Sequence, residues 1–126
     1  AWALFMVFPL FRGIMRLISP MICRDPRFPA MMDSDLSKTT LESFLTSIAS
    51  LRRTDLRQRL DQVTCPVMGM FGDKDNIVHP DQWQPLLEGV PTARIERYNK
   101  AGHFIMLDEP APFMHTLKDF LDTPLQ

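Results

Sequence analysis

The sequence predicts an α/β chain in which helices come first and then alternate with parallel strands. Two short apolar runs, residues 67–71 and 93–98, each lead into a polar turn containing glycine. The turns are Gly72-Asp73-Lys74-Asp75 and Ala101-Gly102-His103-Phe104. A helical stretch separates the runs and another follows, so the order strand, helix, strand, helix points to βαβ units. Residues 1–59 hold no run of this kind and read as helices joined by loop.

Residues 1–18 predict a helix carrying Trp2, Phe5, Met6, Phe8 and Phe11. Pro9 is expected to kink or split it, because proline removes an amide donor and crowds the preceding turn. This is a buried or lid helix; the alternative is an amphipathic helix lying on a membrane or lining a lipophilic pocket. Residues 19–37 contain Pro20, Pro26 and Pro29 and predict a loop, with Met31-Met32 filling an apolar gap. Thr39 and Glu42 form a capping-box pattern. Leu41, Phe44, Leu45, Ile48 and Leu51 recur at spacings of three and four, giving one apolar face of a helix that ends near Leu51.

Thr54 caps a short helix over 55–60, with Leu56, Leu60 and Val63 pointing inward. Arg52, Arg53, Arg57 and Arg59 read as solvated. Asp55 and Asp61 interrupt them and no aromatics interleave, so no nucleic-acid partner is expected. Pro66 suits the first residue of a strand, and the unbroken apolar run after it suits a parallel strand covered on both faces. The second run alternates weakly and reads as nearer the sheet edge. His79-Pro80-Asp81 opens the intervening helix, which carries Trp83, Leu86 and Leu87 and stops near Gly89. Asp108 or Glu109 opens the last helix, with Pro110 in its first turn and Phe113, Leu117, Phe120 and Leu121 facing inward.

At 126 residues the chain holds one domain at most, or part of a larger one. A hydrophobic share of 45% with 23% charged residues is that of a folded soluble chain rather than a disordered one. A net charge of −1 gives no pull toward nucleic acid. Cys23 and Cys65 match no zinc or redox spacing and read as reduced core thiols in a cytoplasmic setting. Arg12 and Arg16 break the opening apolar stretch, which excludes a membrane span. They follow the apolar run rather than precede it, unlike the charge of a signal peptide. A start at Ala rather than Met reads as an excised or truncated piece.

Open α/β sheets gather ligands beyond the carboxyl ends of their strands. Asp75 and His103 stand at two such exits, and an acid that orients a basic histidine is two-thirds of a catalytic triad. Asp73 is the rival acid by position. His79 reads as a helix cap, and His115 as a partly exposed residue of the last helix. A metal site built from His79, His103, Asp73 and Asp75 lacks any ligand spacing such as H-E-x-x-H, so neither metal nor cofactor is expected.

These residues resemble the C-terminal end of the α/β-hydrolase family. The matching stretches are CPVMGMFGDKD, GVPTARIERYNKAGHF and DEPAPFMHTLKDFL. In that family a strand ends in G-x-x-D with the triad acid, a later G-H-x carries the histidine, and Glu-Pro with a terminal helix closes the fold. The matches are Gly72 with Asp75, then Gly102-His103-Phe104, Glu109-Pro110 and Asp119-Phe120-Leu121. The resemblance covers roughly residues 60–123. It implies the C-terminal portion of the α/β-hydrolase core over 60–126, its last parallel strands and helices, preceded by a helical cap or lid remnant over 1–59.

The resemblance also implies roles. Asp75 is the acid and His103 the base; Ile77, Val78 and Phe104 stand at the substrate pocket, and Phe104 and Met106 pack around the histidine. The family nucleophile sits at a G-x-S-x-G elbow upstream of the acid. Ser19, Ser34, Ser37, Ser43, Ser47 and Ser50 all lack the flanking glycines, and neither cysteine has a suitable setting. The reading is therefore a C-terminal fragment of a hydrolase of esters or related small apolar substrates, inactive in isolation. The same fold hosts dehalogenases, epoxide hydrolases, peroxidases and lyases, and fold alone does not choose among them. A second reading is a non-catalytic partner that completes a sheet in another chain or forms a homodimer. A third is membrane contact through residues 1–18.

Overall fold

Two units make up the chain, one up to Asp55 and one from Leu56 onward. The computed structural model describes residues 2–123, with side chains from Val7 on. The expected aromatic surface of Trp2, Phe5 and Met6 therefore lies outside the described side chains.

The first unit is helical: α1 (Trp2–Ile22), α2 (Phe28–Leu36) and α3 (Leu41–Arg53). Helix α1 runs through both Pro9 and Pro20, which corrects the expected break at Pro9 and the expected loop from residue 19. Pro20 has no N–H to give to the Arg16 carbonyl. The buried Ser19 hydroxyl donates to that carbonyl instead, at 2.7 Å, and so supplies the missing rung. Helix α2 occupies most of the remaining predicted loop. Its Pro29 lies in the first turn, where a missing N–H costs no helical bond.

Arg12 of α1 grips Asp33 of α2 through Nε at 3.0 Å and a second guanidinium nitrogen at 2.8 Å. Helix α3 is capped by Thr40, one residue later than expected, with its hydroxyl accepting from the Ser43 N–H at 3.1 Å. The Phe11 and Phe44 rings meet with centroids 5.1 Å apart, joining α1 to α3. Only Leu41 and Phe44 of the expected apolar face are half-buried; Leu45, Ile48 and Leu51 stay exposed. Cys23 is buried, whereas Cys65 is exposed and so is not the core thiol expected.

The second unit opens with a 3₁₀ turn (Arg57–Gln62), later and tighter than the expected helix over 55–60, and it leaves Leu56 exposed. Then come β1 (Met68–Gly72), a 3₁₀ turn (Pro80–Gln82), α4 (Trp83–Gly89), β2 (Arg94–Tyr98), α5 (Ile105–Asp108) and α6 (Pro110–Asp122). The single turn α5 is absent from the sequence reading. Leu87 and Leu121, both expected inside, are exposed.

The strands pair in parallel from Met68 opposite Arg94 to Gly72 opposite Tyr98, and α4 makes the crossover. Gly89 lets α4 close on the first 3₁₀ turn, since a Cβ there would stand 2.4 Å from the Leu60 Cβ. The core of this unit is Tyr98, Ala101 and Ile105, flanked by Met70 and Phe113. Tyr98 ends β2, Ala101 lies in the turn after it and Ile105 opens α5, so this core packs at the carboxyl end of the strands. No helix among the described residues is long and apolar enough to cross a membrane.

Candidate active site

Because β1 and β2 end level, Gly72 opposite Tyr98, the two turns beyond them start side by side. Two backbone bonds join them into one block and a third closes the first turn on itself. The Asp73 N–H donates to the Tyr98 carbonyl at 2.9 Å, Lys74 N–H to Ala101 at 3.0 Å, and Asp75 N–H to Gly72 at 3.2 Å. Gly72 is needed here for closeness, because a Cβ on it would fall 2.2 Å from the Gly102 carbonyl oxygen.

Within this block Asp75 and His103 meet, 28 residues apart in sequence, with Oδ2 and Nδ1 separated by 2.8 Å. The other carboxylate oxygen accepts from the Ile77 N–H at 2.8 Å and the Val78 N–H at 2.9 Å. The Asp75 side chain is 12% exposed and the His103 side chain 34%. Burial alone pushes the Asp75 carboxyl up. The Val78 N–H, the His103 ring and the Ile77 N–H, together with the charge of a protonated His103, outweigh that and hold it below its ordinary value. An ionised carboxylate only accepts, so Nδ1 carries the shared proton and Nε2 of a neutral His103 is left with its lone pair.

The other candidates fall into place around this pair. Asp73 is taken by Arg97, whose Nε donates to it at 2.9 Å, and the Arg97 guanidinium lies 5.5 Å from the Trp83 ring centre. Phe104 stands edge-on to the His103 ring, with centroids 5.0 Å apart and planes at 86°. A cleft of about 180 Å³ opens over the pair. Met70, Phe71, Val78, Pro80 and Ile105 give it apolar walls, and His79 stands at its border. Ile77 contributes its backbone N–H, and its half-exposed side chain does not line the cleft. His79 caps the turn that follows it, its Nδ1 accepting from the Asp81 N–H at 3.3 Å. His115 is exposed on α6.

No serine occurs after Ser50, so the unit carrying Asp75 and His103 has none. Cys65 precedes β1 at the end opposite the pair. Among the described residues no three His, Cys, Asp or Glu side chains gather as metal ligands. Sequence reasoning missed the Asp108 carboxylate, whose Oδ2 accepts from the Gly102 N–H at 2.8 Å. An acid one helical turn beyond a Gly-His pair was the available signal.

No family model matches the sequence. Over 77% of its length the chain is 30% identical to a 2-hydroxy-6-oxononadienedioate/2-hydroxy-6-oxononatrienedioate hydrolase of Cupriavidus pinatubonensis, covering 35% of that protein. It is 32% identical over 64% of its length to a pimeloyl-[acyl-carrier protein] methyl ester esterase of Sodalis glossinidius, covering 31% of it. An esterase structure from Exiguobacterium antarcticum superposes on 96% of this chain with a TM-score of 0.75 at 22% identity, and 47% of that esterase is covered. The chain thus spans about a third of the length of the curated relatives it matches.

Proposed function

This chain belongs to the α/β-hydrolase family, whose C-terminal portion its fold matches, and on that premise we propose that Asp75 and His103 are the acid and base of a hydrolytic triad. The observation that carries the reading is the 2.8 Å contact between Nδ1 and a carboxylate whose second oxygen is already held by two backbone N–H groups. Asp75 fixes the tautomer and steadies the imidazolium that forms. His103 Nε2 takes the proton of the nucleophile and returns it to the leaving group or draws it from water.

The nucleophile comes from outside these 126 residues, ahead of Asp75 in chain order, and the isolated chain is inactive. Residues 1–59 are a helical cap or lid and residues 60–126 the end of the catalytic core. The substrate is an ester or a related small apolar molecule. The support is the cleft's walls, which are apolar but for Asp75, His79 and His103. Val78 and Phe104 stand at the substrate's border, Val78 through its place in the cleft wall and Phe104 through the ring it packs on, while Ile77 serves the site through its N–H to Asp75 rather than through its side chain. We place the enzyme in the cytoplasm, the setting suggested by two cysteines without a disulfide-like spacing.

The test is hydrolysis of a short-chain p-nitrophenyl ester. The 126-residue chain is expected to show none above background. The product that includes in-frame codons upstream of Ala1 is expected to turn over and to lose that activity in His103→Ala. Turnover by the 126-residue chain that survives His103→Ala refutes the triad reading. A second reading, a sheet-completing partner or homodimer, is favoured by the strand pairing, in which β1 has β2 on one edge only among the described residues. A concentration-independent monomer in sedimentation equilibrium sinks the homodimer form of that alternative.

A further inference from the structure

The peptide group between Ala101 and Gly102 lies one residue ahead of His103 and is held at both poles. Its carbonyl accepts from the Lys74 N–H at 3.0 Å. Its N–H donates to Asp108 Oδ2 at 2.8 Å. Lys74 neighbours Asp75 in the first turn, and Asp108 is the last residue of α5. One peptide plane therefore spans from the turn that carries the acid to the helix that follows the base.

We propose that Asp108 is a positioning residue for His103, fixing the Ala101–Gly102 peptide plane and with it the direction in which the imidazole leaves the backbone. This rests on the reading of Asp75 and His103 as a catalytic pair. A peptide is planar, so the freedom left to the chain lies in the dihedrals on either side of it. Gly102 is the residue with the widest such freedom, and it sits directly before the histidine. Without a clamp its rotation would swing the ring off Asp75. A carboxylate is a strong acceptor for this purpose, since charge-assisted bonds are shorter and stronger than neutral ones. A peptide bonded at both ends is also polarised in the sense that strengthens each bond. Asp108 acts through the backbone and is not among the residues bordering the cleft.

The experiment follows the His103 Nδ1 proton by ¹⁵N-edited NMR in the full chain, in Asp108→Ala, in Asp108→Asn and in Asp75→Asn. The wild type is expected to show a resonance far downfield of the amides, and Asp75→Asn to lose it. Loss of a charge-assisted bond corresponds to about a tenfold or larger change in an opening equilibrium. Asp108→Ala is therefore expected to speed solvent exchange of this proton by about that factor. Asn keeps an acceptor oxygen in place, so Asp108→Asn is expected to restore slow exchange, and the β1 and β2 amides should keep their dispersion in every variant.

Wild-type exchange in Asp108→Ala overturns the positioning role alone. Exchange as fast in Asp108→Asn as in Asp108→Ala also overturns it, because the acceptor is then not what matters. A wild type without the resonance, unchanged by Asp75→Asn, sinks the catalytic-pair reading and the positioning role with it.

Discussion

Replacing Gly72 with alanine tests how closely the two turns must approach. Gly72 has no positive φ, so the replacement meets no conformational penalty of the left-handed kind. The cost is steric. The new Cβ would stand 2.2 Å from the Gly102 oxygen, 2.6 Å from the Ala101 oxygen and 2.9 Å from the Gly102 carbonyl carbon. Ordinary contacts begin near 3.4 Å, so the Gly102 oxygen must retreat by about 1.2 Å (3.4 − 2.2) before the pair reaches the ~3.5 Å at which non-bonded atoms attract rather than repel. All three obstacles are backbone and cannot rotate away. Overpacking of this kind costs ~1–3 kcal/mol, and losing the Lys74–Ala101 bond adds about 1 kcal/mol. The expected loss is roughly 2–4 kcal/mol, a large share of a typical domain stability of ~5–15 kcal/mol. A retreat of that size also opens the Asp75–His103 contact beyond hydrogen-bonding range. Urea unfolding by circular dichroism, with NMR of the Nδ1 proton, measures both. A Gly72→Ala protein within ~0.5 kcal/mol of wild type, with that resonance intact, refutes the reasoning.

Two further outcomes are expected. The folded Asp75 carboxyl titrates below its unfolded value, so its stabilisation is complete above the ordinary Asp range near ~3.9 and is lost as pH falls through the depressed folded value. The gap in urea midpoint between wild type and Asp75→Asn should accordingly shrink from pH 6 to pH 3; an equal gap at both would contradict the shift. Thr40→Ala should destabilise α3 by about 1 kcal/mol as the loss of an N-cap, while Thr39→Ala should cost less than half of that. Thermal melts of the two variants decide whether the cap sits at Thr40.

The two strands, the crossover and the placing of Asp75 and His103 at strand exits were legible because glycine and short apolar runs punctuate this part of the sequence sharply, whereas the level register was not. Asp75 could be chosen over Asp73 only through the family pattern; the structure shows the competing demand, since Arg97 reaches Asp73 from the neighbouring strand. The helical first half was harder to read. Three prolines in residues 19–37 looked like loop, yet Pro20 is compensated by the Ser19 hydroxyl and Pro29 sits where no donor is needed. Those are properties of neighbours rather than of the prolines. Leu45, Ile48 and Leu51 carry the right spacing for a buried face, but spacing shows which residues share a face and not whether anything covers it. The Asp108 contact went unread because it depends on α5, a single turn too short to leave a periodic signal.

The level register of β1 and β2 has a consequence for how the chain folds. Asp75 and His103 can meet only once residue 68 has found residue 94, and parallel strands reach such a pairing through a crossover rather than a hairpin. The closure of that long loop must be met before any contact across it is gained. A slip of one residue would move the exits apart by ~3.3 Å, more than the whole separation of the two polar atoms. The contact between Asp75 and His103 therefore depends on the sheet's register as much as on the two residues themselves.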